Sequence, residues 1–473
     1  MKTYFLAVDI GASSGRHILG TVEGGKMTLE EVYRFPNGMQ RVDGHLVWDT
    51  EALLREIKAG MRACAALGKC PATMAIDTWA VDFVLLDKND APIGPAVAYR
   101  DERTDGMDAE VGRVLTGEAL YRRTGIQKQP FNTIYQLMAL QKQDPAALEK
   151  AESLLMIPDY FAYRLTGVKG QEYTNATTTA LVDPKTRAWD TGLIELLGYP
   201  ERLFGPLTLP GAAIGPLSAE VAAEVGFGCT VVAAATHDTA SAVAAVPAVG
   251  DNVCYISSGT WSLMGTERLT ADCREQSRQA NFTNEGGVDF RYRYLKNIMG
   301  LWMIQSVQKE LGQGRSFAEL CTLAESETIG SFVDCNAPEF LAPASMADAV
   351  RLACRKTGQP VPETLGQLAR VIYRSLAVCY RDALAELEEL TGAHYDAIHI
   401  VGGGANADYL NRLTAAATGR TVLAGPGEAT AIGNLLVQLR AAGLFDNLQA
   451  ARRCVRDSFA VKTYPPVPAE ETI

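Results

Sequence analysis

Three short stretches of the chain carry residue types suited to phosphate. In "AVDIGASSGRHILG" (Ala7 to Gly20) an apolar run ends at Asp9 and opens a loop of Gly11, Ala12, Ser13, Ser14 and Gly15, closed by Arg16. Small residues let backbone N–H groups converge without obstruction, a concavity that favours an anion. The serine hydroxyls add donors, and Arg16 adds a charge-assisted contact. Asp9, at the end of the run, suits a hydrated Mg²⁺ held against the same phosphates. An ordinary hairpin turn with Asp9 as a local cap has the same letters, and the G-K-[ST] of a P-loop is absent. "SSGTWSLMG" (Ser257 to Gly265) repeats the plan with Thr260 as hydroxyl donor. "IVGGGANADYLNRL", from Ile400, ends a strand in three glycines before a helix, so backbone can approach a bulky ligand closely. A tight strand-to-helix turn explains those glycines equally.

Proton transfer needs a carboxylate, and "ATHDTASAV" offers one. Asp238 sits between His237 and Thr239, after the apolar strand Val231 to Ala235 and before a run of small helical residues. There it can accept a proton from a substrate hydroxyl, or it or Thr236 can simply cap the helix. "AIDTWAVDFVLLD" and "NIMGLWMIQSV", the latter opening on Asn297, combine aromatic, carboxylate and amide groups. Such a set covers the C–H faces and hydroxyls of a polyol. It also describes a core tryptophan beside strand-ending aspartates, so Asp77 and Asp82 stay unassigned.

The elements that must position these groups alternate. Strand-like runs such as "TMAIDTW", "VDFVLLD", "AIHIVGGG" and "TVLAG" are separated by helical patterns, which predicts α/β architecture. Helices are predicted from about Glu363 to Leu390, from Ala407 to Thr418 and from Ala429 to Ala442, with Gly392, Gly419 and Gly443 at their ends. The strand–loop–strand plan at "LAVDIGASSGRHILG" returns at "VCYISSGTWSLMG", which suggests two related domains, residues 1–245 and 246–473. The 473 residues exceed a single core. A net charge of −11 argues against nucleic acid or an anionic membrane as the main partner. Ten scattered cysteines without a CxxC pair, and only five histidines, favour reduced thiols over a zinc site or disulfide scaffold. Asp9 interrupts the N-terminal apolar run before a secretory core forms, and His237 and Asp238 spoil the most apolar later stretch as a membrane span. The expectation is a cytoplasmic protein.

Taken in order, "AVDIGASSGR", "IDTWAVDFVLLD", "YRDERT", "QPFNTIYQL", "MIPDYFAYRLTG", "YTNATTT", "HDTASAV", "SSGTWSLMG", "NEGG", "LKNIMGLWMIQ" and "HIVGGGAN" resemble the FGGY carbohydrate kinases of the actin-like ATPase superfamily. The resemblance runs from about Phe5 to about Leu439. "DTWAVDFVLLD", "NATTT" and "LKNIMGLW" point to the branch that phosphorylates L-rhamnulose. It implies two RNase-H-like domains with the active site in the cleft between them, and ATP and Mg²⁺ as cofactors. It implies ATP contacts at Ala12, Ser13, Ser14, Gly15, Arg16, Thr260, Gln305 and Gly403. Sugar contacts fall at Ala80, His237, Asp238, Thr239 and Asn297, with Asp238 the proton acceptor and Asp9 near Mg²⁺ through water. Ala80 stands where the family has glycine, and Ala405-Asn406-Ala407 replaces a more polar run. A kinase for L-fuculose or D-xylulose, or an actin-like nucleotide switch without a sugar, are the alternatives.

Overall fold

The apolar run YFLAVDI forms β1 (Tyr4–Ile10), six of whose seven residues are buried. Such a strand belongs in a sheet's interior, and β1 is flanked on both edges. On one side it pairs antiparallel with β2 (Ser14–Glu23), which pairs antiparallel with β3 (Lys26–Pro36). On the other it runs parallel to β4 (Pro71–Thr78), in a register that sets Asp9 opposite Asp77. The antiparallel pair β5 (Ala213–Pro216) and β6 (Thr230–Val232) extends the sheet to the order β5-β6-β4-β1-β2-β3. The computed structural model describes residues 2–341 and 343–466.

Helix α1 (Thr50–Ala66) begins at Asp49, whose carboxylate accepts the Ala52 N–H. Its buried Leu53, Leu54, Ile57 and Met61 join Leu6, Val8, Ile10 and Ile76 of the sheet in one core. A second core, built from Phe83, Leu85, Ile134, Leu137, Leu154 and Leu193, carries the segment that includes α2 (Tyr173–Thr177). After β6 the chain enters α3 (Asp238–Ala244). The predicted strand Val231 to Ala235 is shorter than expected. Beyond Val232 the backbone bonds leave the ladder: Ala233 exchanges bonds with Gly211 and Ala212, and the Thr236 carbonyl accepts the Thr78 N–H.

The later part repeats the plan. β7 (Cys254–Ser258) pairs antiparallel with β8 (Trp261–Arg268), and β9 (Tyr292–Met299) lies beyond β8. On its other edge β7 runs parallel to β10 (Ala397–Val401), which runs parallel to β11 (Thr421–Ala424). Both sheets therefore share the antiparallel hairpin that the repeated motif predicts, and in each the first strand also pairs with a parallel neighbour. Helices α4 (Trp302–Leu311), α5 (Leu365–Thr391) and α6 (Asp408–Thr418) follow the strands, then α7 (Ala429–Ala441). Gly392 and Gly419 end α5 and α6 in left-handed conformations. No helix among the described residues is long and apolar enough to cross a membrane.

Residue contacts divide the chain into two compact units. The first holds residues up to Ala245 together with Arg268–Tyr294 and Thr430–Ser458; the second holds Val246–Glu267, Leu295–Ala429 and the chain from Phe459. The first change of unit falls between residues 245 and 246. Two later segments, however, return to the first unit.

Candidate active site

The first loop is a tight turn. Gly11 N–H bonds the Ser14 carbonyl at 2.9 Å, Asn37 N–H bonds the Ser13 carbonyl at 3.0 Å, and Asn37 Nδ2 bonds the Gly11 carbonyl at 2.8 Å. Ala12 packs on the first core, Ser13 is exposed, and Ser14 and Arg16 are half-buried. Gly15 has a packing reason of its own. A Cβ there would lie 2.1 Å from the Phe35 ring, so a larger residue has to displace that ring. Arg16 donates from Nε to Asp9 Oδ2 at 2.9 Å, with a second nitrogen at 2.8 Å from the same oxygen.

Asp77, fully buried across the ladder from Asp9, accepts from Asn434 Nδ2 at 2.6 Å through Oδ2, while its Oδ1 has no hydrogen-bond partner among the described residues. Burial first, then the charges of Asp9 and Asp238, push its carboxyl well above the usual range. Carboxylate oxygens of this kind are the hard donors that a hydrated Mg²⁺ takes. Among the described residues no three His, Cys, Asp or Glu form a metal cage. The remaining ligands of such an ion would be water and phosphate oxygens.

Asp238 opens α3, with His237 as the N-cap residue. The junction is held from below by Glu172. Its carboxylate accepts from Thr236 N and Oγ1 at 3.1 and 2.6 Å, from Thr174 N and Oγ1 at 2.9 and 2.6 Å, and from Asn175 N at 3.2 Å. Thr174 Oγ1 in turn accepts the His237 N–H at 3.3 Å. The motif "YTNATTT" thus anchors the base candidate's backbone. Asp238 Oδ1 accepts from Thr239 N at 2.6 Å and lies 3.4 Å from His237 Nε2. Its Oδ2 has no hydrogen-bond partner among the described residues, and the side chain is 32% exposed, enough for a substrate hydroxyl to reach it. Loss of hydration, then the charge of Asp9, raise this carboxyl to about 6.

Ala80 lies two residues beyond Thr78, which forms a bridge with His237. Next to it Val81 has φ of 68°, a left-handed conformation that is strained for a β-branched residue. Thr133 Oγ1 and Gln136 Nε2 both bond the Val81 carbonyl, at 2.7 and 3.1 Å, and keep that turn in place. Trp79 is core: its indole and that of Trp48 both donate to Asp82 Oδ2, at 2.9 and 2.7 Å. Asp82 is therefore an anchor for two tryptophans rather than a sugar ligand.

In the second unit, Gly259 and Thr260 are fastened to the start of α4. Their carbonyls accept Leu301 N–H at 3.0 Å and Trp302 N–H at 3.2 Å. Gly300 permits this approach, since a Cβ there would meet the Trp261 backbone at 2.5 Å. Thr260 thereby sits beside the helix that carries the half-buried Gln305. Gly404 closes on Ser258, where a Cβ would lie 1.9 Å from Oγ, and leaves Gly403 exposed. Asn297 lies within β9, its Oδ1 buried without a hydrogen-bond partner among the described residues.

These two sets of loops match known proteins. The model of the FGGY family of carbohydrate kinases, N-terminal domain, matches residues 4–245, and that of its C-terminal domain matches residues 254–442. The chain belongs to the FGGY family of carbohydrate kinases. A rhamnulokinase of Halalkalibacterium halodurans is 49% identical to this FGGY kinase over 461 residues, covering 98% of each chain. One of Oceanobacillus iheyensis is 47% identical over 470 residues, covering 99% of this chain and all of the relative. A xylulose kinase structure from Lactobacillus acidophilus, 17% identical, aligns with a TM-score of 0.82 over 99% of this chain and 94% of that one. A Plasmodium falciparum glycerol kinase with ADP, 14% identical, gives 0.78 over 99% and 95%.

As a carbohydrate kinase, the enzyme phosphorylates a sugar. Sequence reasoning left two of the groups around its base candidate unassigned, Glu285 and Arg293. The first lies in the quoted "NEGG" motif; the second is fully buried in β9, and a charged residue between Tyr292 and Tyr294 on an apolar strand was the available signal.

Proposed function

We propose that this FGGY kinase transfers the γ-phosphoryl group of ATP to the primary hydroxyl of L-rhamnulose, giving ADP and L-rhamnulose 1-phosphate, in cytoplasmic L-rhamnose catabolism. The reading is supported most by 49% identity to a rhamnulokinase across almost the whole chain. Asp238, with Oδ2 open, orients the hydroxyl and accepts its proton as the new P–O bond forms. Ala12 to Arg16 of the first loop, and Thr260, Gln305 and Gly403 of the second unit, take the nucleotide. Ala80, His237, Thr239 and Asn297 take the sugar. Mg²⁺ near Asp9, when bound, lowers the charge of the phosphate oxygens. Phosphoryl transfer has a loose transition state, so placement and charge compensation carry the rate.

A panel of ketoses with coupled ADP detection, and product mass for each, tests the substrate. L-Rhamnulose is expected to give the highest kcat/KM and a monophosphate product. Preference for L-fuculose or D-xylulose overturns the sugar assignment, and sugar-independent ATP hydrolysis without a phosphorylated product overturns the kinase reading.

The acid limb of the rate profile follows from Asp238. Its carboxyl titrates near 6 in the free enzyme, and only the ionised form accepts a proton. With ATP and sugar both far below saturation, the rate is therefore expected to be level above this value. Below it, the rate falls about tenfold per pH unit. A limb near the ordinary aspartate value of about 4 contradicts the raised carboxyl at Asp238.

A further inference from the structure

The imidazole of His237 is enclosed by charged groups from three elements. Arg293, on β9, brings a terminal nitrogen to 3.0 Å from His237 Nδ1. Glu285, on the strand Thr283–Gly286, places Oε2 3.0 Å from the same Arg293 nitrogen and 3.5 Å from Nδ1. Asp238, on α3, faces Nε2 at 3.4 Å. Arg293 is completely buried, and its Nε is fixed by the Gly286 carbonyl at 3.0 Å. The Thr174 hydroxyl holds the backbone of His237 from α2.

A guanidinium has donors only and stays protonated in proteins. The nitrogen facing it at 3.0 Å must be an acceptor, so Nδ1 carries no proton. A neutral imidazole with a bare Nδ1 bears its hydrogen on Nε2, the side of Asp238.

We propose that Arg293 is a positioning residue that locks His237 in its neutral Nε2–H form, making it a standing hydrogen-bond donor toward Asp238 and the sugar oxygen beside it. The role attributed to the sugar oxygen rests on the proposed function; the tautomer does not. Burial and the Arg293 charge also hold His237 well below the usual imidazole range, in keeping with a neutral ring. Two consequences follow. His237 contributes no positive charge that would pair with ionised Asp238 and weaken it as a base. And a substrate oxygen meets a fixed donor instead of an imidazole free to turn or exchange its proton. Glu285 balances the buried guanidinium, so Arg293 performs this function without leaving an unpaired charge in the interior.

The test is ¹⁵N-histidine NMR of the whole enzyme without substrates, with the His237 signals assigned by their loss in His237→Gln. The expected result is an unprotonated Nδ1 and protonated Nε2, unchanged between about pH 5 and 8. In Arg293→Met the ring is expected to titrate or to exchange tautomers in that range. Because this variant strands Glu285, the double variant Glu285→Gln/Arg293→Met, which removes both charges, repeats the measurement in a neutral interior. Both variants are expected to lower kcat about 10–100-fold with KM for ATP within twofold. A protonated Nδ1 in the native enzyme, or a double variant whose ring remains locked, overturns the proposal whatever the sugar assay gives. If the locked tautomer is found in an enzyme that does not phosphorylate L-rhamnulose, only the functional reading fails.

Discussion

Asp238→Asn is expected to lower kcat by about 10²–10⁴-fold, the usual contribution of a positioned general base, while sugar still binds. The amide keeps the volume of the carboxylate and can still accept the Thr239 N–H through its oxygen. It cannot take a proton. Sugar binding, followed by calorimetry without nucleotide, should weaken far less than turnover. A second readout separates loss of chemistry from loss of fold. The native carboxyl is raised to about 6, above its unfolded value of about 4, so its ionised form opposes folding. That opposition is complete above the folded pKa and disappears as pH falls to the unfolded one. Asp238→Asn is therefore expected to melt higher than the native enzyme at pH 8, and the difference should vanish near pH 4. A near-normal kcat removes Asp238 from the mechanism, and a lower Tm at pH 8 contradicts the electrostatic account.

Gly433→Ala is expected to have the largest structural effect of any single methyl group here. Gly433 lies in α7, and a Cβ at this position would sit 1.7 Å from the Ser241 carbonyl oxygen and 2.5 Å from its carbon. Both belong to the backbone of α3, so no side chain can turn aside; the two helices must separate. Overpacking of this kind costs about 3 kcal/mol or more, which corresponds to a fall in Tm of about 5 °C or more. Displacing α3 also displaces Asp238 at its first turn, and a misplacement of about 1 Å can cost 10²-fold in rate. Gly112→Ala is the control. It lies at the end of a helix with nothing within 4 Å of its Cβ, and should be neutral or stabilising by up to about 1 kcal/mol. If Gly433→Ala melts and turns over like this control, the α3–α7 contact does not set the position of the base.

The repeated hairpin was legible because it is local: a run of buried residues, a turn and a return, twice in one chain. The ends of α5 and α6 were legible because glycine at Gly392 and Gly419 supplies a left-handed conformation that other residues adopt at a cost. Asp238 was visible as a carboxylate between a strand and a helix. The groups that tune it were not. Glu172 reaches Thr236 across 64 positions and Arg293 reaches His237 across 56, so no periodicity connects them. Gly15 shows another limit: its place beside two serines reads as an anion loop, and nothing in the sequence shows that the Phe35 ring also packs against it. Trp79 and Asp82, left open in sequence between a polyol surface and a core tryptophan beside a strand-ending aspartate, bond to each other inside the core.

The return of Thr430–Ser458 to the first unit has a bearing on how the chain is born. Asp77 waits for Asn434, made 357 residues later, and Gln438 Nε2 supplies the bond to the Leu6 carbonyl from 432 residues away. Synthesis runs at about 5–20 residues per second, so the central strands leave the ribosome roughly twenty to seventy seconds or more before their last partners exist. The first unit is thus finished only after Ser458 has been made. Until then the nascent polypeptide carries a complete sheet without the helix that supplies Asn434 and Gln438, the state in which a chaperone has most to protect.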